Sequence, residues 1–136
     1  MDEQLQAVGH VFKALADPTR VRIVGLLVGG EICVCHIHDT LKIPQSKASR
    51  HLAYLRRAGL VETEKRGLWV YYRLAQGTDD VARALLEAAS HCIGHLDVAR
   101  RDATRLEKTT GCCVPAPTAL TLHCCKTPIA KPAAPA

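Results

Sequence analysis

Aromatic side chains are scarce in this chain: one Trp, one Phe and three Tyr among 136 residues, 4% in all. A core with so few rings has to be aliphatic, and hydrophobic residues at 48% are enough to build one small domain. Long apolar runs are missing too. No window approaches the ~18 consecutive apolar residues of a membrane span, so no membrane partner is expected. The start of the chain, Met1-Asp2-Glu3-Gln4, is acidic and lacks the basic and then apolar regions of a secretory signal. A soluble cytoplasmic protein is expected. Also missing are a phosphate loop, a Cys-x-x-Cys on a βαβ pattern and a nucleophile–base arrangement, so nothing supports an enzyme. Cysteine, by contrast, is plentiful. Seven thiols in a reducing compartment, an odd number, suit ligands or reactive groups better than a disulfide framework.

The formal net charge of +5 is modest but unevenly placed. Residues 1–40 carry a net −2 and residues 77–136 a net +1. Residues 41–76 hold Lys42, Lys47, Arg50, Arg56, Arg57, Lys65, Arg66 and Arg73 against only Glu62 and Glu64, a net of +6. A basic excess confined to one short segment points to a polyanion partner, above all nucleic acid.

Leu5, Val8, Phe12 and Leu15 recur at helical spacing and predict a first amphipathic helix. Asp17-Pro18 then offers an N-cap followed by proline at the first helical position. Val21, Val24 and Val28 carry a second helix to Gly29-Gly30. A third, short helix is predicted from Cys33 to Leu41. Pro44 opens a fourth that ends near Ala58 at Gly59, with Ala48, Leu52 and Leu55 on its apolar face. Over residues 60–75 the period changes to two, and Arg66-Gly67 supplies a turn, which predicts a β-hairpin. From Asp79 one long helix is predicted, carrying Val81, Leu85, Ala88, Cys92, Leu96, Ala99, Ala103 and Leu106 as a stripe that packs on another subunit. Beyond Thr110 lie five of the seven prolines, and a flexible tail is expected.

Helix, turn, helix and hairpin in that order predict a winged helix-turn-helix, mainly α with a small β-hairpin, homodimeric. It occupies residues 1–109, and the Cys- and Pro-containing tail covers 110–136. The fourth helix has one face to dock on the domain and another to enter a major groove. Gln45, Ser46 and Ser49 can reach base edges or phosphates. Lys47, Arg50, Arg56 and Arg57 are placed to meet phosphates, and His51 can donate to one. Lys65 and Arg66 at the hairpin tip form the wing.

Five segments stand in register with a known family: Leu15-Ala-Asp-Pro-Thr-Arg20, Glu31-Ile-Cys-Val-Cys35, Ser49-Arg-His-Leu52, Leu55-Arg-Arg-Ala-Gly-Leu-Val61 and Gly67-Leu-Trp-Val-Tyr-Tyr72. Together they resemble the ArsR/SmtB family of metal-sensing transcriptional repressors over roughly residues 5–108. The resemblance implies a homodimer built chiefly on the first and last helices. Such a dimer binds double-stranded operator DNA without metal and releases it when an inducer binds.

Cys33-Val34-Cys35 sets two soft thiols at the start of the third helix, where a helix N-terminus favours the thiolate. Residues two apart in a regular helix point roughly 200° away from each other. Joint ligation is therefore expected to unwind the start of that helix and so disturb the recognition helix. The arsenic-sensing branch of the family carries this Cys-x-Cys, often with a third Cys where this chain has His38. As(III) or Sb(III) is the inducer expected from the thiol pair. His36 and His38 are nitrogen donors that suit a divalent ion such as Cd(II), Pb(II) or Zn(II), and oxidation of the thiols would make a redox switch instead. The zinc-sensing branch uses the last helix. His91 and His95 there stand four apart, but Arg100, Arg101, Thr104 and Arg105 occupy the other half of that pattern, so the pair is read as exposed or structural and Cys92 as dimer core. The tail holds Cys112-Cys113 and Cys124-Cys125. Cys112 or Cys113 is the candidate for a third thiolate at the Cys33–Cys35 site.

Overall fold

Asp17 accepts hydrogen bonds from the amides of Thr19 (2.8 Å) and Arg20 (3.4 Å), so the turn before Pro18 satisfies the first free N–H groups of a helix. Burial acts to raise the Asp17 pKa. Those amides outweigh it, and together with the charges of His51 and Arg20 they hold the carboxyl below its ordinary range. Similar local signals set the other elements of this computed structural model, which describes residues 2–76 and 79–110. In chain order they are α1 (Glu3–Ala14), α2 (Pro18–Leu27), β1 (Ile32–Cys33), α3 (Val34–Leu41), α4 (Gln45–Arg57), β2 (Val61–Arg66), β3 (Trp69–Leu74), α5 (Asp80–Ile93) and α6 (Asp97–Thr110).

The aliphatic core gathers Ile23, Val24, Leu26 and Leu27 of α2 with Ile37, Leu41, Leu52, Leu55 and Leu60. The fourth helix buries Ala48, Leu52 and Leu55, the face that its periodicity selects. Each such leucine contributes about 1.5–3 kcal/mol by leaving water, which fixes the helix by its apolar side and leaves the basic side outward. Gly59, at φ 81°, stops it in a left-handed conformation that costs a glycine nothing.

Four expectations need correction. Val28 is exposed, because the core face of α2 is set by Ile23, Val24, Leu26 and Leu27 instead. The third helix starts at Val34, with Cys33 as an extended N-cap residue at φ −84°, ψ 155°. The hairpin gains a third strand: β1 pairs antiparallel with β3, Ile32 opposite Tyr72 and Cys33 opposite Tyr71, in the order β1-β3-β2. The long C-terminal helix is two helices. Gly94 ends α5, the amides of His95 and Leu96 bond three residues back, and α6 restarts from the Leu96 carbonyl.

α6 then folds back onto α2 and α3. Arg22 Nε and Nη2 donate to Asp102 Oδ2 and Oδ1 at 2.9 and 2.8 Å, and Asp102 is only 2% exposed. Arg105 Nη1 donates to the Thr40 carbonyl at the end of α3 at 3.1 Å. Gly25 leaves room for both C-terminal helices, since a Cβ there would lie 3.1 Å from Ile93 Cγ2 of α5 and 3.6 Å from Ala99 Cβ of α6. Part of the predicted subunit stripe is thereby used within the chain: Ala99 and Leu106 pack on the core. Cys92 is exposed. The tail from residue 111 lies outside the described residues.

Candidate functional site

The polar side of α4 is presented as a ridge. Gln45, Ser46, Lys47, Arg50, Arg56 and Arg57 are exposed, and Ser49 is half-buried. His51 is different. Arg20, at the start of α2, places Nη1 3.3 Å from His51 Nδ1, stacks over the Tyr54 ring at 4.0 Å and donates through Nε to the Ala14 carbonyl at 2.8 Å. A guanidinium can only donate, so Nδ1 accepts and the proton of the neutral imidazole sits on Nε2. Burial pushes the His51 pKa below its ordinary value. Arg20, Lys47 and Arg50 act in the same direction, against Asp17. Arg20 thus locks the end of α1 to α4, a role that its position in the sequence did not disclose.

The wing carries less free positive charge than its composition suggests. Arg66 donates to Glu31 at 2.7 Å and Glu64 at 3.1 Å and stacks on Tyr71 at 4.6 Å. Its hydrogen bonds to Glu64 and then Glu31 raise its pKa above the ordinary arginine range. Arg73 lies 3.1–3.6 Å from Glu31, Glu62 and Glu64. Lys65 and Leu68 stand exposed beside these pairs. The sequence placed Arg66 with the DNA contacts. The fold gives its guanidinium to two carboxylates, one of them 35 residues away.

Cys33 Sγ and Cys35 Sγ lie 3.2 Å apart. The extended backbone of Cys33 undoes the opposition of a regular helix and turns both sulfurs to one side. Two thiolate–metal bonds of about 2.3 Å at a tetrahedral angle hold their sulfurs ~3.8 Å apart, so a small adjustment lets the pair share one ion. The unwinding expected from helical spacing is not required. The imidazole brought to Cys33 is that of His36, with Nδ1 at 3.8 Å, while His38 is half-buried further along α3. Cys33 is 1% exposed and packs with Tyr71, and Cys35 and Trp69 pack against that pair. Among the described residues no group of three or more His, Cys, Asp or Glu side chains is gathered to hold a metal ion. The ring of His91 on α5 and that of His95, just past its end, meet edge to face at 4.9 Å, and both residues are exposed.

Comparison with known proteins gives this arrangement its context. The family model described as bacterial regulatory protein, arsR family, matches residues 17–63. The arsenical resistance operon repressor of Escherichia coli K12 is 46% identical over 84 residues, 61% of this chain and 72% of that protein. The chain belongs to the ArsR family. The arsenic resistance transcriptional regulator ArsR1 of Pseudomonas putida is 45% identical over 57% of this chain, and the match spans just under two thirds of ArsR1, 65%. Among solved structures, HlyU of Vibrio cholerae is 33% identical with a TM-score of 0.58, covering 68% of this chain and 97% of its own. A winged helix-turn-helix DNA-binding domain from Mycobacterium bovis, described as homodimeric, is 37% identical with a TM-score of 0.55, covering 69% and 88%. ArsR-family proteins are DNA-binding transcriptional regulators and not enzymes. The family match runs from the cap of α2 into β2, so it takes in the thiols and α4 and stops before α5 and α6.

Proposed function

We propose that this chain is a cytoplasmic, metalloid-responsive repressor. A homodimer holds operator DNA through α4 and the wing and lets go when As(III) or Sb(III) binds Cys33 and Cys35. The observation that carries this reading is the thiol pair, 3.2 Å apart and packed against the wing strand at Tyr71 and Trp69. Gln45, Ser46, Lys47, Ser49 and Arg50 supply base and phosphate contacts at the start of α4, and Arg56, Arg57 and Lys65 extend them along the backbone. His51 presents Nε2–H, held in that tautomer by Arg20. Arg66 serves DNA indirectly, by fixing the wing to Glu31 beside β1. Dimerisation uses α1 and α5. Leu5 and Phe12 on α1 are 63% and 59% exposed, and Val81 is exposed on α5, which packs against α1.

Coupling follows from where Cys33 sits. An ion joined to a side chain that is 1% exposed has to open the packing between β1, the start of α3 and β3. β3 is half of the wing, and α3 leads through Lys42-Ile43-Pro44 into α4. Both DNA-facing elements are thus tied to the thiol pair. A differential affinity of ~1–3 kcal/mol is ordinary for such coupling, and about 5.5 kcal/mol switches a site almost completely.

One observation favours a second reading. His36 Nδ1 beside Cys33 adds a nitrogen donor, which suits Cd(II), Pb(II) or Zn(II). Release of a bound duplex, titrated side by side with As(III), Sb(III), Cd(II), Pb(II) and Zn(II), decides between them. The duplex is one that the protein selects from a random-sequence library. As(III) and Sb(III) acting at the lowest concentrations is the expected result, and preference for a divalent ion would replace the first reading with the second.

A further inference from the structure

We infer that Leu68 enters the minor groove of the bound duplex and wedges at a base step, so that the wing reads DNA by shape rather than by charge. The inference rests on the DNA-binding reading above and deepens it. Leu68 is 90% exposed, the most exposed large hydrophobic side chain among the described residues. A single leucine on a domain's flank needs no explanation. This one is the side chain at the tip of the wing. Arg66 pairs with Trp69 across the hairpin, so Gly67 and Leu68 make the whole turn, with Gly67 at φ 65° in its first place.

The charges behind that tip leave little for phosphates. The strand register puts Glu62, Glu64, Arg66, Trp69, Tyr71 and Arg73 on one face of the hairpin. Glu31 joins them from beside β1, and the three carboxylates hold Arg66 and Arg73. With Lys65 counted, three cations meet three anions and the net is zero. By contrast α4 carries Lys47, Arg50, Arg56 and Arg57 with no acidic residue among Gln45–Arg57. A neutral wing gains little from counterion release, and what its tip offers is apolar surface. The same contacts stiffen it: Arg66 ties the hairpin to Glu31 and lies on the Tyr71 ring, so the tip is held before DNA arrives.

The tip also has the reach. β2 leaves the end of α4 after Ala58-Gly59-Leu60 and runs six residues to the turn, about 20 Å. With α4 in a major groove, the flanking minor groove lies half a helical turn along the duplex, ~17 Å. Leucine is among the side chains that part stacked bases from that groove. Flexible pyrimidine–purine steps, TA and CA/TG, cost least to open. Each wing of a homodimer therefore sets one such step outside the base pairs that α4 reads.

Full-length wild type, Leu68→Ala and Leu68→Met test this. Each selects duplexes from a random-sequence library and is then titrated with the wild-type choice. Wild type is expected to select TA or CA/TG steps symmetrically outside the α4 half-sites and to bend the duplex, read by energy transfer between dyes at its ends. Leu68→Ala should keep the melting temperature and the half-sites but lose the outer steps and the bend. Its binding should weaken by roughly tenfold or more with the salt slope unchanged. Leu68→Met keeps an apolar tip and should behave as wild type. Wild-type selection without a preference at the outer steps overturns the inference, as does a Leu68→Ala variant that selects those steps and binds as tightly as wild type. A weakening that comes with a shallower salt slope also overturns it, because that marks a phosphate contact. The DNA-binding reading has its own point of failure: wild type that selects no duplex at all.

Discussion

Removing either half of the Arg22–Asp102 pair should destabilise the protein, and by unequal amounts. The two side chains make two charge-assisted hydrogen bonds of 2.8 and 2.9 Å. Asp102 is sealed at 2% exposure while Arg22 keeps 30%. Arg22→Ala strands a buried carboxylate. Breaking a buried pair in this way costs ~3–5 kcal/mol, and the lower end applies because the space left by arginine admits water. Asp102→Ala strands a guanidinium that already touches solvent and can rehydrate. Its cost is about 1–2 kcal/mol, the loss of hydrogen bonds to a charged group discounted for that exposure. The difference of about 1–2 kcal/mol corresponds to roughly 4–9 °C in melting temperature for a domain of this size. Thermal and urea melts at one fixed protomer concentration measure it, because association shifts apparent stability. The double variant should cost less than the sum of the singles. Equal losses, or a larger loss for Asp102→Ala, would refute the claim that the buried carboxylate is the demanding partner.

Two further outcomes follow from the DNA-facing side. Arg50→Ala should weaken binding to all duplexes alike and reduce the salt slope by about 0.9 per lost phosphate contact, or ~1.8 for a symmetric dimer; an unchanged slope removes Arg50 from the phosphate contacts. His51 should titrate below 6.5 in the free protein, followed by NMR of its ring protons. Because its folded pKa is depressed, its contribution to stability is complete above about pH 6.5 and is lost as pH falls through the folded value. A midpoint at or above 6.5 contradicts the burial and the three cations around it.

Much of the fold could be read directly because local chemistry decided it. Asp17-Pro18 is a cap whatever surrounds it, and Ala48, Leu52 and Leu55 are the face that any partner of α4 must cover. What stayed hidden depended on distant partners. Cys92, Leu96, Ala99, Ala103 and Leu106 keep helical spacing straight through Gly94, so the period concealed a break that Arg22 enforces from 80 residues away. The two-residue β1 is too short to show a period, and it exists because Tyr71 and Tyr72 lie opposite. Missing it put the sulfurs of Cys33 and Cys35 on opposite sides of a helix, although the residues themselves were identified as the candidate ligands. Arg66 counted as free charge because Glu31, which neutralises it, lies in another segment.

The central claim is that the Cys33–Cys35 pair receives the inducer and passes the event to the wing. Trp69, the only tryptophan, packs from β3 against the cluster that Cys33 forms with Tyr71, so its emission reports on both ends of that step. Trp69 fluorescence and duplex release should be followed together during arsenite titration of wild type, Cys33→Ser and Cys35→Ser. The account predicts that in wild type the emission change and the release share one midpoint. Each single variant should keep its DNA affinity while both signals shift to at least tenfold higher arsenite. Release of DNA by either variant at the wild-type concentration, or release in wild type with Trp69 emission unchanged, would contradict it.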